Sequence, residues 1–147
     1  MPDEMMTDIQ KNAIDILHSE GCSCVIVNGD EIVRCQERGV KDLYRIFKSR
    51  PALLSGAFIA DKVIGKGAAA IMAAGGVVSV YTDVISRPAL ELFGQSGVKV
   101  ESPLCVDNII NRAGTGICPV EQLCAACKTA EECLPLIEGF INKMQAV

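Results

Sequence analysis

The chain predicts an α/β fold: a three-layer sandwich around a mixed five-stranded sheet, with an N-terminal antiparallel hairpin and the remaining strands parallel. Three observations carry this. Two short apolar runs flank an Asn-Gly pair near the start. A short apolar strand, an alanine-rich helix and a β-branched strand then follow one another as a βαβ unit. Stretches of helical periodicity separate and follow these strands.

Thr7-x-x-Gln10 is a capping-box signature, after which Ile9, Ala13, Ile14, Ile16 and Leu17 recur at helical spacing until Gly21. Residues 23–27 and 31–35 alternate as strands about Asn28-Gly29, a pair that tolerates the positive φ values of a type I′ turn. Val40, Leu43, Ile46 and Phe47 mark a second helix, which must stop near Arg50 because the residue before Pro51 is driven out of helical conformation. Residues 57–60 then form a strand, 67–74 a helix closed by Gly75-Gly76, and 77–85 a strand. Ser86 caps a further helix with Pro88 in its first turn, running through Leu90 and Phe93 to Gly94, and residues 98–100 supply the fifth strand. The tail from about residue 108 is helical and cysteine-rich. Helical segments begin near Pro119 and again near Thr129 or Pro135, the two alternatives conflicting because proline breaks a helix begun at Thr129.

Composition bounds the function. A chain of 147 residues, 50% hydrophobic, is one domain with a full core. Fourteen Lys and Arg against eighteen Asp and Glu leave a net charge of -4, with no basic, aromatic-bearing stretch, which argues against a nucleic-acid partner. The apolar stretch 57–85 is interrupted by Asp61, Lys62, Lys66 and Asp83, so no membrane helix of ~20 apolar residues can be drawn. The acidic N-terminal segment does not resemble a signal peptide, and a cytoplasmic location is expected. Eight cysteines fall below the ~8–10% of a disulfide scaffold, so free thiols are expected.

The run Ala60-Asp-Lys-Val-Ile-Gly-Lys-Gly-Ala-Ala70, followed by Val84-Ile-Ser86, Asn111-Arg112 and Gly116-Ile-Cys-Pro-Val-Glu121, resembles the family called domain of unknown function 1893. The resemblance covers nearly the whole chain and implies a cytidine-deaminase-like fold, with no established activity attached to it. By analogy that fold also implies association of copies through helices, a homo-oligomer.

A zinc deaminase needs a His or Cys two residues before a proton-shuttling Glu, and two further cysteines opening the next core helix. The corresponding helix starts read Arg38-Gly-Val-Lys-Asp42 and Gly65-Lys-Gly-Ala, which offer no such ligands. His18-Ser-Glu20 and Cys124-Ala-Ala-Cys127 match the motif halves as strings. Yet His18 closes the first helix, where a cation favours the dipole, a leucine replaces the proline before Cys124, and about a hundred residues separate the halves.

Two sites remain as candidates. Gly65-Lys66-Gly67 opens a helix after a strand, so free N–H groups, the helix dipole and Lys62 or Lys66 can converge on an anion; close packing alone also explains paired glycines there. Asp61 and Ser86 follow neighbouring strands, at carboxyl ends where ligands collect, and Asn111, Arg112 and Thr115 can approach from the tail. These residues are expected to line one pocket for a small anionic metabolite or nucleotide, set against ordinary capping and surface charge. The alternative site is Cys118, Cys124, Cys127 and Cys133, four thiols within sixteen residues that can hold zinc or an iron-sulfur cluster, act as a redox pair, or simply pack. Cys35 as a lone nucleophile lacks a histidine other than His18 to activate it.

Overall fold

The computed structural model describes residues 7–36, 40–110 and 114–145. Helix α1 (Asp8–Glu20) opens with the expected capping box: the Gln10 N–H donates to Thr7 Oγ1, and Gln10 Oε1 accepts the Thr7 N–H. It ends at Gly21, whose φ of 71° is the left-handed value a helix terminus favours. The hairpin β1 (Cys24–Asn28) and β2 (Glu31–Cys35) follows, but the turn is one residue later than expected. Gly29 and Asp30 form it, and only Gly29 has positive φ, the pattern of a type II′ rather than a type I′ turn. Asn28 instead ends the strand and donates its amide to the carbonyls of Ala52, Leu53 and Ser55, closing the end of the short helix that follows.

Helix α2 (Lys41–Ser49) stops at Arg50 as the following proline requires, and Pro51 then starts the short α3 (Pro51–Leu54). Next come β3 (Phe58–Ile64), α4 (Lys66–Gly75), β4 (Ser79–Ser86), α5 (Arg87–Ser96) and β5 (Lys99–Glu101). Helix α5 runs through Gly94 and ends at Gly97, which has the left-handed φ. A two-residue strand, β6 (Cys105–Val106), lies beyond β5 along the same edge of β4, paired through Ile85 and Ser86. Helices α6 (Pro119–Cys124) and α7 (Ala130–Gln145) complete the chain. Pro135 sits inside α7, which begins just after Thr129, the N-cap whose hydroxyl accepts the Glu132 N–H.

The sheet order is β2-β1-β3-β4-β5, antiparallel from β2 to β3 and parallel from β3 onward, so the mixed sheet has the expected arrangement with β6 added. One face carries α1, through Ala13, Ile16 and Leu17 against Val25, Val27, Phe58 and Ala60. The other face carries the larger core, in which α4 is buried from Lys66 to Met72. That helix is rich in alanine because the sheet, α2, α5, α6 and α7 all pack on it, and small side chains admit neighbours on every side.

The pleat of β3 and β4 is interrupted at one level. Ile59 and Ile64 both reach the larger core, as do Val80 and Ile85, an odd spacing that strict alternation forbids. The ladder pairs Asp61 with Thr82 and resumes at Val63 with Val84, leaving Lys62 and Asp83 out. Polar side chains serve the backbone there: Asp61 Oδ1 accepts the N–H groups of Lys62 and Val63, and Thr82 Oγ1 donates to the Val84 carbonyl.

Candidate functional site

A cleft of about 740 Å³ opens where β2 and β3 end and β1 begins. The starts of α2 and α4 form its walls through Val40, Lys41, Asp42, Leu43, Gly65, Gly67 and Ala68. The tail closes it with Ile109, Ile110, Cys118, Val120, Glu121 and Phe140. This is the carboxyl end of the parallel strands, where the crossover geometry leaves room for ligands.

Across the floor runs a row fixed by strand register. Cys35 of β2 lies opposite Cys24 of β1, Cys24 opposite Asp61 of β3, and Asp61 opposite Thr82 of β4. Directly opposed residues point to one face, and all four are buried. The Cys24 thiol is held above its ordinary range, first by its hydrogen bond with Cys35 and then by burial. Asp61 is only 9% exposed, and burial pushes its carboxyl up to about 7 despite the two backbone N–H groups that favour its charged form. Lys62 and Lys41 also line the cleft, and neither forms an ion pair among the described residues.

The helix start at Gly65-Lys66-Gly67 does receive an anion, and the anion is the protein's own. Glu121, 3% exposed, reaches from α6 so that its Oε1 accepts the Lys66 N–H (2.7 Å) and the Ser86 hydroxyl (2.9 Å). Its Oε2 accepts the N–H of Ile109. The glycines permit this approach. A Cβ on Gly65 would lie 3.1 Å from Glu121 Oε1, and one on Gly67 would lie 2.3 Å from Val120 Cγ1. The Lys66 ammonium turns away from the cleft to the carbonyls of Ala125 and Cys127 at the end of α6, where a cation complements the helix dipole. Ser86 has two tasks, since its hydroxyl also accepts the Ala89 N–H and caps α5.

The residues singled out in the sequence therefore divide. Asp61, Lys62, Gly65 and Gly67 line the cleft, whereas Lys66 and Ser86 are engaged in seating Glu121 and fastening the tail. Thr115 lies in the exposed loop, and Asn111 and Arg112 fall outside the described residues. Residues that the sequence reading did not assign to this site line it too, among them Cys24, Lys41 and Asp42.

The tail thiols do not form one set of four. Cys118 lines the cleft, while Cys124 and Cys127 both neighbour Cys133, whose thiol donates to the Thr129 carbonyl. The Cys133 thiol beside it lowers Cys124, burial raises Cys127 to about 11, and Cys133 is driven well up by the neighbouring Cys124 thiol and by burial. Among the described residues no group of three or more His, Cys, Asp and Glu side chains is placed to hold a metal ion. The two helix starts where a zinc deaminase would carry its ligands supply Val40, Lys41, Gly65 and Lys66, which do not fit zinc. His18, on the α1 face, instead pairs with Asp83, which also accepts the Tyr81 hydroxyl; burial first, and this bond second, raise Tyr81 to about 12.

Comparison with known proteins agrees with this architecture. A DUF1893 family protein from Thermotoga maritima, known from its crystal structure, superposes with a TM-score of 0.84 at 24% identity, covering 92% of each chain. The apo crystal structure of dCMP deaminase from cyanophage S-TIM5 superposes with a TM-score of 0.51 at 16% identity, covering 67% of this chain and 99% of that one; the fold is what they share. No curated protein matches the chain in sequence. The sequence model of the family described as domain of unknown function (DUF1893) matches residues 12–141, and the chain belongs to that family.

Proposed function

We propose that this chain binds a small anionic metabolite or nucleotide in the cleft between α2 and α4. The observation that carries the reading is the cleft itself: about 740 Å³ at the carboxyl end of the parallel strands, mostly apolar, with a buried carboxyl on its floor and two ammonium groups beside it. Pockets of ~300–1,000 Å³ with few, convergent polar groups suit small ligands. The anion-binding role falls to Lys41 and Lys62, because Glu121 already fills the helix start that Lys66 opens. The fold shared with a deoxynucleotide deaminase places nucleotides first among compounds to try.

Thermal unfolding in the presence of nucleotides, nucleosides, sugar phosphates and dicarboxylates tests this. A ligand at ~100 times its Kd stabilises the folded state by about 2.7 kcal/mol, a readily measured rise in Tm. The rise should disappear in the double variant Lys41→Ala, Lys62→Ala. A panel that leaves Tm unchanged, or a rise that survives the double variant, would count against the cleft as an anion site.

A further inference from the structure

We propose that the ligand enters as an anionic nitrogen heterocycle with its ring innermost, Asp61 Oδ2 engaging a ring or exocyclic nitrogen while Lys41 and Lys62 hold the anionic group at the mouth. The inference rests on the ligand-binding reading above and assigns the ligand's chemistry and orientation.

The two carboxylate oxygens of Asp61 are not equivalent. Oδ1 is committed to the backbone, taking the N–H of Lys62 at 2.7 Å and that of Val63 at 3.4 Å. Oδ2 receives no hydrogen bond from any described residue, although the side chain is more than nine-tenths buried and lines the cleft. No fully enclosed side-chain oxygen or nitrogen among the described residues lacks a partner, so Oδ2 opens to the cleft, where a ligand can reach it. Other polar side chains along the floor are engaged: Ser23 Oγ donates to the Cys35 carbonyl, Gln36 donates to the Cys22 sulfur, and both Glu121 oxygens already accept hydrogen bonds.

The walls supply the rest of the specification. Val40, Leu43, Ala68, Ile109, Val120 and Phe140 offer apolar surface to a flat ring. A carboxyl meets a nitrogen heterocycle in either protonation state, accepting from N–H when charged and donating to a bare ring nitrogen when neutral. Burial holding Asp61 near 7 makes both states accessible around neutral pH. Titratable and charged groups lie around Asp61 on every side: Cys24 from β1 with Cys35 behind it, Asp83 from β4, which raises it further, Lys62 on the same strand, Lys41 and Asp42 from α2, and Glu121 from α6. Lys66 of α4 points to the end of α6 and leaves this balance to the others.

Calorimetric titration of the full chain with the four common nucleoside 5′-monophosphates and with ribose 5-phosphate tests the proposal. Wild type should bind at least one nucleotide, and Asp61→Asn should weaken it at least about tenfold while leaving binding of ribose 5-phosphate unchanged. Lys41→Ala with Lys62→Ala should weaken both compounds. In wild type, but not in Asp61→Asn, the binding enthalpy near pH 7 should vary with the ionisation enthalpy of the buffer, reporting proton exchange. Equal nucleotide affinity in wild type and Asp61→Asn would overturn the assigned orientation while the cleft remained a ligand site. Absence of binding by any of these compounds to wild type would overturn the proposal together with the reading on which it rests.

Discussion

Replacing Asp61 by asparagine should make the protein more stable at neutral and alkaline pH, and the gain follows from where the carboxyl sits. Burial raises Asp61 from 3.8 to about 7 in the folded chain, whereas the unfolded chain releases the proton near the ordinary carboxyl value. Between these values folding takes up a proton, so stability falls as pH rises from about 4 to about 7 and then levels off. At ~1.4 kcal/mol for each tenfold, the full cost of the ionised carboxyl is at most about 4 kcal/mol, reduced where water in the cleft reaches Oδ2. Asparagine retains the oxygen that accepts the Lys62 and Val63 N–H groups and removes the charge. The two proteins should therefore lie within about 1 kcal/mol of each other near pH 4.5 and separate steadily, with Asp61→Asn more stable by about 2–4 kcal/mol at pH 8. For a chain of this length that is a rise in Tm of roughly 5–15 °C. Urea unfolding of both proteins at half-unit steps from pH 4.5 to 8 measures it. A difference that does not change with pH, or a variant less stable at pH 8, would refute the placement of a buried carboxyl on the cleft floor.

Glu121→Ala strands three donors, the Lys66 and Ile109 N–H groups and the Ser86 hydroxyl, and should cost about 3–5 kcal/mol in denaturant unfolding, whereas Ser86→Ala should cost about 1–2 kcal/mol. Gly67→Ala places a methyl 2.3 Å from Val120 Cγ1 and should cost about 1–3 kcal/mol, with Val120→Ala recovering part of the loss in the double variant. Protein purified without oxygen should carry substoichiometric zinc and iron by elemental analysis, and stoichiometric metal lost on mutating Cys124 and Cys127 would contradict the thiol arrangement described above.

The order of elements was legible because hydrophobic period, caps and turns agree locally from Thr7 to Val100. The site was harder, and the hairpin shows why. A turn at Asn28-Gly29 would set Cys24 opposite Val33; the real turn at Gly29-Asp30 sets Cys24 opposite Cys35, a shift produced because Asn28 spends its amide on the carbonyls closing α3. That contact lies more than twenty residues away and carries no local signal. The helix start at Gly65 was rightly placed at a strand end, but sequence alone does not say that the anion it attracts is Glu121. Strand β6 and helix α3 were missed because each is too short to show a period, and Pro135 was misleading because α7 tolerates it.

Nitrogen-edited NMR of labelled protein titrated with nucleoside monophosphates tests ligand binding in the cleft most directly. Amide shifts should concentrate at Lys41–Leu43, at Asp61–Val63 and from Gly65 to Ala68, the segments that meet around the cleft. Shifts confined to other surfaces, or none at saturating nucleotide, would contradict that binding.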